Sequence, residues 1–194
     1  AMSRVDAFTP DTARAIAQAR QHSVGDLLRR TALRRPDKLA VVDGSRRISF
    51  AELDVAVNRA ANALASRGLG KGDRLALLSH NCWQYAALVF ATARLGVVLV
   101  PVNFMLGAEE IAFILDHCDA AGMVAEDALA ATAEAALASA GRTGGVRGWI
   151  SPSGAPPIDG WEDVDSWLAS GDSTEPDVPV DDDDPLRLMY TSGT

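Results

Sequence analysis

The sequence predicts an α/β fold: a doubly wound, mainly parallel sheet with flanking helices, opened by a β-hairpin. Two observations carry that expectation. Strand-like and helix-like segments alternate between residues 74 and 125, which is the pattern of a parallel sheet with right-handed crossovers. Two shorter strand-like runs lie upstream and meet at Asp43-Gly44-Ser45, where glycine supplies the positive φ that a tight hairpin requires. Any ligand edge of such a sheet lies at the carboxyl ends of its strands.

The elements follow in order. Ser23 and Asp26 stand at capping-box spacing ahead of Leu27, Leu28, Thr31 and Ala32, so a short amphipathic helix runs toward Pro36. The hairpin strands are expected at 39–42 and 46–50. Ser49, with Glu52 three positions on, caps the next helix; Ile48 is placed to staple onto Leu53, and Leu53, Val57, Ala60, Ala61 and Leu64 recur at helical spacing until Gly68. A turn at 70–73 leads into a strand at 74–79. Asn81 with Gln84 is the expected cap of a helix that runs to Arg94 and ends at Gly96. A β-branched strand at 97–100 stops at Pro101, and Ala108, Glu109 and Glu110 put acid in the first turn of a helix through Leu115. A strand at 122–125, an alanine-rich helix at 128–140 closed by Gly141, and a strand at 146–150 complete the alternation.

Residues 1–22 read as an N-terminal extension and 23–150 as the α/β unit. Residues 151–185 hold six of the nine prolines and eleven acids, with no Lys or Arg. That composition suits an irregular, acidic surface excursion with one short helical turn near 161–168. Residues 186–190 form a last apolar strand before Thr191-Ser192-Gly193-Thr194.

Charge and composition exclude several classes. The chain carries 18 Lys plus Arg against 26 Asp plus Glu, and removing the eleven acids of the excursion takes its net charge from −8 to +3. No basic stripe marks a nucleic-acid binder. Two cysteines are too few for a disulfide scaffold, and Arg4, Asp6, Arg14 and Arg20 interrupt any signal-peptide core, so a reduced, cytoplasmic protein is expected. Residues 85–102 are mostly apolar but carry Arg94 near the middle and Gly96 after it, which fits a helix followed by a buried strand rather than a membrane span.

Several constellations could carry chemistry. Hydroxyl groups and a glycine directly after an apolar strand, as in 191–194, can cradle a phosphate, although such residues are also ordinary in turns. His80 with Cys82 and His117 with Cys118 make a two-Cys, two-His set. The topology sends the two pairs toward opposite edges of the sheet, so packing is preferred over zinc. The glycines of 68–72 precede a strand, whereas nucleotide-binding glycine loops follow one, so this segment reads as a turn. Trp83 and Tyr85 read as packing residues, and Trp149, Trp161 and Trp167 as pins for the excursion. Asp181 to Asp184 read as a solvated lead-in rather than a magnesium site.

Together, 184–194 resembles the start of the phosphate loop of adenylate-forming enzymes, the superfamily of acyl-CoA synthetases, luciferases and peptide-synthetase adenylation domains. Residues 31–42 with Pro36 and Asp37, 48–53, 68–78, and Leu95-Gly96 through Pro101-Val102-Asn103 are similar in order and spacing to the amino-terminal part of that superfamily, and Glu109-Glu110-Ile111 and Leu115 continue the match. Asn103 resembles the acyl-CoA ligase branch, since adenylation domains usually place Asp there; Phe104 departs from the proline often found next in ligases.

The resemblance implies a larger multi-subdomain protein in which a carboxylic or fatty acid and ATP give acyl-adenylate and pyrophosphate, and coenzyme A then gives acyl-CoA and AMP. It implies that Thr191, Ser192 and Thr194 bind the β- and γ-phosphates, with Gly193 allowing close approach, and that no catalytic residue lies in this chain. The rest of the loop, the acyl-binding subdomain, the magnesium-binding motif and the catalytic lysine of the family are not in these residues, so the chain alone is expected to be inactive. The implied partners are the acid, ATP with magnesium, and coenzyme A. Membrane association is at most peripheral, and homo-oligomerisation is left open. The other readings are a non-catalytic α/β interaction module using its acidic segment, and a peptide-synthetase adenylation domain.

Overall fold

The computed structural model describes Thr12 and residues 23–142 and 144–191. Helix α1 (Val24–Arg34) leads into an antiparallel hairpin, β1 (Leu39–Asp43) and β2 (Arg46–Ser49), which forms a two-stranded sheet of its own. Helix α2 (Phe50–Ser66), strand β3 (Arg74–Leu78), helix α3 (Trp83–Leu95), strand β4 (Val98–Pro101), helix α4 (Ala108–His117) and strand β5 (Gly122–Glu126) follow. A 3₁₀ turn (Asp127–Leu129), helix α5 (Ala130–Ser139), strand β6 (Val146–Ile150), strand β7 (Glu162–Asp163) and helix α6 (Val164–Ala169) close the series.

The five-stranded sheet has the order β4-β3-β5-β6-β7 and every pairing in it is parallel. The chain moves outward from β3 to β4, then returns past β3 to β5, so the order reverses between β3 and β5. That reversal sends helices to both faces. Leu75, Leu77, Leu99 and Val124 pack into one core with residues of α2 and α3, while Ala76, Leu78, Val100, Met123 and Ala125 pack into a second core with α4 and α5. Successive residues of one strand point to opposite faces, so a strand buried on both sides must be apolar at every position.

The ends of the elements are decided locally. Ser49 and Glu52 form the expected reciprocal cap: Glu52 N donates to Ser49 Oγ at 3.3 Å and Ser49 N donates to Glu52 Oε2 at 2.7 Å. Ser49→Ala is expected to cost about 1 kcal/mol of unfolding free energy in urea. A change within error would show that water caps the helix equally well. Gly96 ends α3 in the left-handed region at φ 66°, the conformation a helix stop of this type requires.

Three local expectations are corrected. The Ser23 side chain does not cap α1; its hydroxyl donates instead to Asp26 Oδ2 at 3.1 Å. The cap of α3 is Cys82, whose Sγ accepts from Tyr85 N at 3.4 Å, rather than Asn81. The segment 186–190 is not a full strand: it joins the sheet through one parallel bridge, Leu99 to Arg187, because only Leu99 N to Leu186 O and Leu188 N to Leu99 O are bonded.

The segment 151–185 is tied down more firmly than its composition suggests. Trp149 Nε1 donates to Ala155 O at 3.1 Å, and Trp161 Nε1 donates to Glu134 Oε1 at 2.7 Å. Trp167 is buried and lies under the Arg67 guanidinium, 4.9 Å from its ring centre. A methyl group at Gly148 would fall 2.7 Å from the Trp167 ring, so α6 can lie on β6 only because that position has no side chain. Lys71 Nζ pairs with Asp184 at 2.6 Å, which accounts for one member of the acidic run.

Candidate phosphate-binding rim

The described chain ends at the carboxyl edge of the sheet. Leu186 to Leu188 runs parallel beside β4, so the residues after it emerge where β4 also ends. There Tyr190 and Thr191 border a cleft of about 500 Å³ that is shared with Asn103, Leu106, Glu110 and Phe113. Thr191 is exposed. Ser192, Gly193 and Thr194 lie outside the described residues.

The cleft wall is held by its own backbone. Asn103 Oδ1 accepts from Met105 N at 3.0 Å and Asn103 O from Leu106 N at 3.1 Å, which fixes the turn after β4. Gly107 N donates to Glu110 Oε2 at 2.8 Å, and Ser139 Oγ donates to the Glu109 carboxylate at 3.1 Å. Both acids at the start of α4 therefore have donors of their own. The Tyr190 hydroxyl and His117 Nδ1 lie 2.7 Å apart, with the two rings edge to face. Burial pushes the Tyr190 hydroxyl above the usual phenol range, so it stays protonated at neutral pH.

A second polar cluster fills the point where strand order reverses. Glu126, 7% exposed at the end of β5, accepts at Oε2 from His80 N at 2.7 Å and Ser79 Oγ at 3.2 Å, and lies 3.0 Å from His80 Nδ1. The His80 ring meets Phe104 tilted by 36°, with 4.1 Å between centres, so the loop after β4 is braced to the loop after β3. Sequence reading singled out His80 and Phe104 but passed over Glu126. An acid directly following four apolar strand residues was the available signal.

The two Cys/His pairs are spent on packing and hydrogen bonds. His80 is held by Glu126, Cys82 caps α3, His117 meets Tyr190, and Cys118 is buried with its Sγ 3.8 Å from Leu115 O. Burial pushes both thiols above their usual range. Among the described residues, no group of three or more His, Cys, Asp or Glu side chains is disposed to hold a metal ion. Asp181 and Asp184, the acids nearest in kind to a magnesium site, both face Lys71 Nζ, at 3.7 and 2.6 Å.

A doubly wound parallel sheet carries Tyr190 and Thr191 beside its outer strand at the carboxyl rim. Residues 28–194 match the AMP-binding enzyme family, and the chain belongs to it. It is 34% identical over 174 residues to the long-chain-fatty-acid–CoA ligase FadD13 of Mycobacterium tuberculosis, covering 89% of this chain and 33% of that protein. It is 36% identical over 175 residues to a feruloyl-CoA synthase of Amycolatopsis, covering 90% and 32% respectively.

The inhibitor-bound N-terminal domain of FACL13 from Mycobacterium tuberculosis superposes with a TM-score of 0.77 at 32% identity, over 90% of this chain and 42% of that one. The anthranilate CoA ligase AuaEII, solved with anthranoyl-AMP, shares the fold with a TM-score of 0.82 at 23% identity, over 89% and 32%. The chain spans about a third of the length of the curated relatives it matches.

Proposed function

We propose that the chain is the amino-terminal part of an ATP-dependent acyl-CoA synthetase. In the first half-reaction a carboxylate oxygen attacks the α-phosphorus of ATP, and the bond to pyrophosphate breaks. In the second, the coenzyme A thiolate attacks the acyl carbon and AMP departs. The observation that carries this reading is the position of Thr191: it stands exposed at the carboxyl rim of a chain that belongs to the AMP-binding family.

In this reading Thr191, Ser192 and Thr194 donate hydrogen bonds to the β- and γ-phosphates, and Gly193 lets the backbone approach them. These groups hold the polyanion in line with its nucleophile and stabilise charge as it moves onto pyrophosphate; none is itself a nucleophile. Magnesium would be held by residues outside this chain. We place the reaction in the cytoplasm, since Cys82 and Cys118 are unpaired thiols, as in a reducing compartment. No helix among the described residues is long and apolar enough to cross a membrane.

The test is thioester formation by the full-length protein with ATP, magnesium and coenzyme A against a panel of aliphatic and aromatic carboxylic acids. At least one acid is expected to give acyl-CoA, AMP and pyrophosphate. Folded protein that converts none of them would overturn the assignment. The 194-residue chain alone is expected to release no pyrophosphate under the same conditions.

A further inference from the structure

We propose that His117 and Phe113, on α4, form a clasp that positions the nucleotide phosphate loop by holding Tyr190, the residue immediately before Thr191. The inference rests on the ligase reading above. Main-chain support for this segment is thin, since its single bridge to β4 ends at Leu188. Beyond that bridge, the contact between the Tyr190 hydroxyl and His117 Nδ1, at 2.7 Å, is the last hydrogen bond among the described residues before the loop.

The geometry favours a specific grip over incidental contact. The Tyr190 ring meets the imidazole edge to face, at 84° and 5.6 Å, and the same imidazole is stacked by Phe113 at 29° and 5.5 Å. Each ring is therefore oriented by a neighbour, which is how aromatic contacts fix direction as well as distance. His117 closes α4 and Phe113 sits one turn earlier, so both are carried by a rigid helix that packs against the sheet through Ile111, Ile114 and Leu115.

Phe113 is 62% exposed, and although the Tyr190 ring packs partly against the second core, losing the hydroxyl–imidazole contact alone removes little buried surface. Its effect falls on the loop. Freed from it, Tyr190 and Thr191 would have to be fixed in place when ATP binds, and the cost of that ordering would reduce apparent affinity for ATP. His117 and Tyr190 act through the loop and are positioning residues.

The test compares Tyr190→Phe, His117→Ala, the double variant and His117→Asn in the full-length protein, by steady-state kinetics and direct calorimetric titration with ATP. Tyr190→Phe and His117→Ala are each expected to raise KM and Kd for ATP about five- to tenfold. KM for the acid and for coenzyme A, and the thermal midpoint, should stay near wild type. The double variant should be no worse than the worse single variant, because both remove one shared contact. His117→Asn, whose amide can replace Nδ1, should recover most of the affinity.

Unchanged ATP affinity in both single variants, or an additive loss in the double variant, would overturn the clasp. The wild-type protein decides the underlying reading separately. If it binds ATP but forms no thioester, and the variants bind ATP more weakly, the ligase assignment falls and the clasp stands. If the wild type binds no ATP, both fall.

Discussion

Replacing Ser192 and Thr194 together with Ala in the full-length protein is expected to lower kcat/KM for adenylation by at least about 100-fold, since losing even one preorganised charge-stabilising donor typically costs 10²- to 10³-fold. Both residues follow Thr191, which stands exposed at the carboxyl rim and buries no apolar surface that the fold depends on. The expected signature is therefore a loss of ATP-dependent pyrophosphate release with an unchanged thermal midpoint. Because these hydroxyls are assigned to the trailing phosphates, the second half-reaction should be nearly untouched. Acyl-CoA formation from a supplied acyl-adenylate separates the two steps. Unaltered pyrophosphate release would remove the phosphate role from these residues, and equal loss in both half-reactions would show that the loop serves the fold.

The second large effect concerns stability. Arg94→Ala is expected to cost about 3–5 kcal/mol in urea unfolding, the usual result of removing one partner from a buried, hydrogen-bonded ion pair. The Arg94 side chain is 3% exposed, sits in the last turn of α3, and donates to Asp54 Oδ1, Asn58 Oδ1 and, at 3.4 Å, Asp54 O. Helix α1 lies directly on it: a methyl group at Gly25 would fall 2.9 Å from Arg94 Cγ. Truncation would leave Asn58 buried without its donor, Asp54 without its counter-charge, and a void under α1. A loss under about 1 kcal/mol would mean that the pair behaves like a surface salt bridge. In that case added salt should shift the midpoint, whereas a buried pair is screened far less.

Both predictions start from residues that the sequence marks, and for Arg94 the fold supplies the reason. Arg94 breaks an otherwise apolar run, and that interruption argued against a membrane span. A single sequence does not show that two polar groups one turn apart on α2, Asp54 and Asn58, would meet it, because they lie forty and thirty-six positions upstream. The sulfur cap of α3 went unread for a related reason. Asn81 has the stronger capping propensity, and the helix starts one residue later because Trp83 packs into the core and its backbone N–H donates to Asp43 Oδ2 at 3.0 Å.

Strand β7 is a third case. Glu162 and Asp163 have low strand propensity, yet they extend the parallel sheet because β6 presents an open edge and Trp161, Val164 and Trp167 are drawn into the cores on either side. His80 and His117 stood out as chemistry-bearing side chains, but their partners Glu126 and Tyr190 lie 46 and 73 positions away.

What the sequence determined by itself is the alternation of elements, the hairpin, the Ser49 cap, the left-handed stop at Gly96 and the family likeness. Each of these is written in spacings of a few residues, where backbone geometry and solvent exposure repeat with the chain's own period. Only the tertiary structure decided which face each helix covers, where the buried guanidinium finds its acceptors, and that the Tyr190 hydroxyl meets His117. Those outcomes depend on groups brought together by chain closure over tens of residues, and their burial then makes each unpaired charge or donor costly.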